Sequence, residues 1–168
     1  VARIFQPARL QGLGAPVVLW KPYANGESFK AGAIMIEDTA TQGRVKEGAT
    51  AAVADIHGIA MDPDDSRPGF ELGHASQVQQ VTNRVQEVGL YVADATTVFS
   101  GETYSGTSAT AALANMVDLE FGLRVLASGV WVIDTNDTST VAIKMFDVNV
   151  DENIGYFKFL VGALPAGV

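Results

Sequence analysis

The sequence predicts a mainly β protein: one antiparallel domain with a single short helix, preceded by an extended N-terminal arm. Three observations lead there. The C-terminal third breaks into four strand-length apolar runs, two of which alternate apolar and polar residues with a period of two. Upstream, short apolar runs are bounded by Gly, Pro, Asp and Asn, as strands are. Only one stretch, Ala109–Met116, has the alanine-rich character of a helix, and it is short.

The arm is assigned to residues 1–27 and the β domain to 28–168. Pro7, Pro16 and Pro22 exclude a long helix from the arm, and Ile4, Phe5, Leu10, Leu13 and Trp20 are too widely spaced for one helical face. Within it only Val17–Trp20 reads as a strand. Such a segment either packs along its own domain or lies across a neighbour.

The organising stretch of the domain runs from Lys30 to Asp62. It opens on a turn at Gly32 and the run Ala33–Ile36, which suits a strand buried on both faces. It then crosses a polar, Thr-rich middle and closes on a second apolar run, Val53–Ala60. The acidic loop around Asp62, Asp64 and Asp65 invites comparison with a calcium-binding loop. The match fails: Arg67 stands where that loop needs glycine, and Pro63 stands where it must curve. A solvated acidic loop is the reading adopted.

Further on, the β-branched run from Arg84 to Ala93 predicts a strand, Asp94-Ala95 a turn, and Thr96–Ser100 a second strand. Gly106-Thr107-Ser108 offers an N-cap for the helix at Ala109–Met116. The last four strands are Leu119–Leu126, Gly129–Asp134, Val141–Val148 and Gly155–Val161. Phe157 and Phe159 alternate with Lys158, so the rings should point inward and the ammonium outward. The DTNDTST segment between the second and third of these is turn chemistry, because Asp and Asn side chains bond their own backbone.

Charge separates arm from body. Of the 168 residues, the first 26 carry Arg3, Arg9 and Lys21 and no acid, whereas the remaining 142 hold eight basic and nineteen acidic groups. An acidic body repels phosphates, so no nucleic-acid partner is expected. No apolar stretch reaches the length of a membrane span, so no membrane partner is expected either. There is no cysteine, which excludes disulfides, thiolate metal sites and thiol nucleophiles. The two histidines do not sit in a metal-binding motif, and His57, inside the apolar AVADIHGIA run, reads as a hydrogen-bonded structural residue. Neither a nucleophile elbow nor a phosphate loop is present. No catalytic residue, cofactor or metal is expected, and the chain reads as a non-enzyme.

Several segments carry a resemblance. The order Gly-Val-Trp-Val-Ile-Asp (129–134), Thr-Asn-Asp-Thr (135–138), apolar strand, acidic turn, aromatic strand resembles the end of tailed-bacteriophage head decoration, or capsid cement, proteins. Phe29–Ile34 and Ile56–Ala60 are similar to the paired segments that open the β-tulip core of that family, and Ala93–Phe99 to its middle. The likeness spans about three-quarters of the chain in apolar patterns and departs from the family in a longer, more proline-rich arm. It implies a β-tulip or barrel-like structural protein on the capsid exterior, made in the host cytoplasm. The implied partner is the major capsid protein, with the chain itself a homo-oligomer, commonly a trimer, at joints between capsomers. The candidate capsid or inter-subunit contacts are Arg3, Ile4, Phe5, Arg9, Leu10 and Leu13 of the arm. The alternative expectation is a fibre or tail adhesion module that binds host glycans through Trp20, Tyr23, Tyr104 and Trp131. Trp131, within an apolar run, is better placed in the core.

Overall fold

The computed structural model describes residues 3–8, 16–24, 27–50, 54–62 and 87–166. Twelve strands lie among them: β1 (Gln6–Pro7), β2 (Val18–Pro22), β3 (Ile34–Glu37), β4 (Val45–Glu47), β5 (Ile56–Ala60), β6 (Glu87–Val92), β7 (Phe99–Ser105), β8 (Ser108–Ala109), β9 (Glu120–Val125), β10 (Trp131–Asp134), β11 (Ile143–Asn149) and β12 (Ile154–Phe159). The protein is mainly β, and its only helical pieces among the described residues are two single 3-10 turns, Ala114–Met116 and Val161–Ala163.

Five C-terminal strands close on themselves in the order β7-β10-β9-β11-β12, with β12 returning to β7 through Tyr156 opposite Ser100 and Phe157 opposite Phe99. Closure leaves none of these five strands with a bare edge along its whole length. The β7–β10 pair is parallel and the other barrel pairs are antiparallel. The second sheet has the order β2-β6-β5-β3-β4. Its two outer strands approach at one point, where Tyr23 bridges to Val45 and the amide of Ala24 donates to the Val45 carbonyl.

One contiguous core joins barrel and sheet. Its barrel half is built on rings: Phe99 stacks on Phe157, and Phe159 meets both edge-on with centroids 5.3 and 5.6 Å away. The predicted register of the last strand holds, with Phe157 and Phe159 buried and Lys158 half-exposed above the Phe146 ring. Trp131 is buried, as its apolar run predicts.

The helix expected at Ala109–Met116 is a correction. Ser108 and Ala109 form β8 against Ser105 and Tyr104, Thr110 continues the pairing by donating to the Thr103 carbonyl, and only Ala114–Met116 turns. A run of eight residues is too short to offset the cost of helix nucleation, so the adjacent β7 edge captures its start. The polar middle of the organising stretch supplies a strand that its composition conceals. In β4, Val45 points into the core while Lys46 and Glu47 are half-exposed, and its partner is β3. The part of the predicted strand at 84–86 and the acidic loop from residue 63 lie outside the described residues.

Candidate interaction surface

The described part of the N-terminal arm packs along its own domain. Gln6 and Pro7 pair antiparallel with Ser100 and Phe99 of β7, and Ala8 donates to the Val98 carbonyl. Phe5 is 1% exposed, with its ring edge-on to Phe157 at 5.2 Å. Two glycines make that seat possible. A Cβ on Gly101 would lie 2.2 Å from the Phe5 ring, and one on Gly32 would lie 2.7 Å from Cβ of Ile4. Gly32 also has φ +84°, so a side chain there is excluded by conformation as well as by space.

This placement sorts the six candidate contact residues. Phe5 belongs to the protein's own core and offers no face to a partner. Arg3 and Ile4 face outward: Ile4 is 41% exposed, and Arg3 pairs with Glu152 at 3.0 Å with both side chains half in solvent. Such an exposed pair stabilises little and can be exchanged for a partner's carboxylate at small cost. Arg9, Leu10 and Leu13 lie outside the described residues. Beside the arm, Arg3, Gln6, Ser100, Glu152 and Tyr156 line a groove of about 400 Å³.

Sequence reading picked out Trp20 but missed the exposed apolar row to which it belongs. Val17, just before β2, and Val18, Leu19 and Trp20 within it are 61, 43, 46 and 59% exposed, on both faces of the chain. The signal was present, since four consecutive apolar residues flanked by prolines cannot alternate between core and solvent. On the barrel, Phe146 and Val161 are exposed beside Lys144 and Lys158 and line a cleft of about 310 Å³.

Several ionisable groups among the described residues have structural partners. Nε2 of His57 lies 2.6 Å from Oε2 of Glu37, and because a carboxylate only accepts, Nε2 carries the proton. The Gly43 amide holds the Glu37 carboxyl below its ordinary value; burial opposes this, and His57 adds to it. Asp134, buried, accepts from Nε of Arg124 at 2.6 Å and from the amides of Gly106 and Asn136. Asp94 and Asp137 sit in turns where burial pushes their pKa values up. Hydrogen bonds outweigh burial and leave both lowered: Thr96 and Thr97 bond Asp94, Ser139 and Thr140 bond Asp137. Among the described residues no three His, Cys, Asp or Glu side chains converge as metal ligands.

Of the four aromatics suggested as sugar platforms, Trp131 and Tyr23 are buried, Tyr104 is half-buried and Trp20 is exposed. No protein-family model matches the chain, and no curated protein gives a significant match.

Proposed function

We propose that this chain is a structural virion protein that binds the outer surface of a bacteriophage capsid and stabilises the shell at joints between capsomers. The observation that carries the reading is the anchored arm. Phe5 pins the segment between Gly32 and Gly101, so that Arg3 and Ile4 are presented outward from a fixed backbone. An arm already ordered by its own domain loses less conformational entropy on docking than a free one, which otherwise costs about 1–2 kcal/mol per fixed residue. The resemblance of the segments 129–134, 29–34, 56–60 and 93–99 to capsid cement proteins supports the same assignment.

The action is thermodynamic. A subunit that binds only the assembled shell stabilises it by mass action, and a homo-oligomer multiplies a modest contact. The major capsid protein is the partner. Co-sedimentation with intact capsids tests this: binding should vanish when the capsids are dissociated, and Arg3→Glu with Ile4→Asp should weaken it. Unchanged binding by that double variant would move the docking surface elsewhere.

A second reading, a glycan-binding adhesion module, is favoured by the exposed indole of Trp20. It loses Tyr23 and Trp131 to the core. Glycan-array binding abolished by Trp20→Ala would establish it over the first.

A further inference from the structure

The first part of β2 is an open strand edge whose layout is symmetric about Leu19. The carbonyl of Val17 accepts from the amide of Val92, and the register runs Val18 opposite Tyr91, Leu19 opposite Leu90 and Trp20 opposite Gly89. Antiparallel pairs alternate between bonded and non-bonded, so residues 17, 19 and 21 bond β6 while the N–H and C=O of Val18 and Trp20 point away from it. The Gly89 carbonyl agrees with that alternation, since it accepts from Met61 on the far side of β6. Contact with β4 begins only at Tyr23. Among the described residues nothing bonds the outer edge at Val18 and Trp20.

Prolines close this edge at both ends. In the segment Pro16-Val17-Val18-Leu19-Trp20-Lys21-Pro22, the two prolines stand three residues either side of Leu19, in the same outward-pointing row as Val18 and Trp20. Neither has an N–H to offer a ladder. The edge therefore presents two donors and two acceptors in a window that maps onto itself when reversed.

We infer that β2 pairs antiparallel with β2 of a second copy of this chain, with Val18 opposite Trp20 of the second copy and the two Leu19 residues facing each other on the dyad. In that register all four outward groups of each strand are bonded, and each proline stops the ladder opposite its counterpart. Val18 and Trp20 of the two copies cover one another on one face, and the Leu19 side chains meet on the other. A shift by two residues sets a proline opposite Val18 or Trp20 and loses bonds. The contact is isologous, as a two-fold interface requires. It covers the exposed apolar residues Val17, Val18, Leu19 and Trp20, a small patch for a protein interface, so the association is weak. The inference rests on the geometry of β2 and is independent of the capsid reading.

The test uses the full chain, which contains no cysteine. Sedimentation velocity over a concentration series should show a monomer–dimer equilibrium. Val18→Pro removes an outward N–H that β6 does not use, so it should weaken dimerisation about tenfold or more without lowering the melting temperature. Leu19→Cys should oxidise to a linked dimer, because facing residues on a non-bonded antiparallel pair have Cα atoms about 4.5 Å apart, within disulfide reach. Val17→Cys should not, since its counterpart would be roughly 14 Å away. A monomer at every concentration with no Leu19→Cys linkage overturns the inference and leaves the edge to a different partner. Equal linkage at both positions, or a trimer unaffected by Val18→Pro, overturns the register and the dyad.

Discussion

The indole N–H of Trp131 donates to Oε1 of Glu47 at 2.8 Å, joining β10 of the closed barrel to β4 of the second sheet. The bond fixes how the two halves of the core meet, because Trp131 is buried and its nitrogen cannot turn to water instead. Glu47→Ala should destabilise the protein by about 1–3 kcal/mol, the cost of a buried donor left without an acceptor. Glu47→Gln keeps an acceptor and should lose much less. Urea unfolding midpoints decide it, and equal midpoints for the two variants would show that the bond contributes nothing.

The Phe5 seat makes a second expectation. Gly101→Ala places a methyl group inside the Phe5 ring volume, so the arm must leave its socket. Phe5→Ala should cost roughly 3–5 kcal/mol. The double variant should be no less stable than Phe5→Ala alone, because the added methyl then enters vacated space. Additive losses would show that Gly101 is needed for another reason.

Lys158 and its neighbours test the register of β12. Phe157→Ala and Phe159→Ala each remove a buried ring at about 3–5 kcal/mol. Lys158→Ala forfeits only a cation placed 4.8 Å from the exposed Phe146 ring, worth about 0.5–1 kcal/mol. Three equal melting temperatures would contradict the inward placement of the rings.

Acid should unfold the protein through its turn carboxylates. Asp94, Asp137 and Glu37 have folded pKa values below the ordinary 3.8 and 4.5. The unfolded chain therefore binds protons at a pH where the folded one does not. The stability these groups supply is present above their ordinary values and is lost as pH falls from there through the lower folded values. Asp94→Asn with Asp137→Asn should lower stability at neutral pH and flatten its decline below pH 5, roughly where the wild-type decline starts. Parallel pH profiles for variant and wild type would rule these two out as the acid-sensitive groups.

The chain by itself determined the strands whose environment is written in a local pattern. Phe157, Lys158 and Phe159 alternate, so one face had to be core and the other solvent. Ala33–Ile36 and Ile56–Ala60 are short apolar runs between turn residues and became β3 and β5. His57, enclosed by apolar neighbours, needed a hydrogen-bond partner and has one in Glu37.

Long-range pairing is a different matter, because it depends on residues far apart in sequence. Nothing near Phe5 announces that Gly101, ninety-six positions on, leaves room for its ring, or that Trp131 will reach Glu47. Gln6 and Pro7 became strand only because β7 offered them an edge, and for the same reason Ala109 left its expected helix and Ser108 its expected N-cap. Val17–Trp20 was legible as a strand, yet its exposure follows from β2 standing at the outside of its sheet, paired with β6 before β4 approaches at Tyr23. Local periodicity sets which residues seek burial; closure of the barrel and the order of the sheet decide which of them find it.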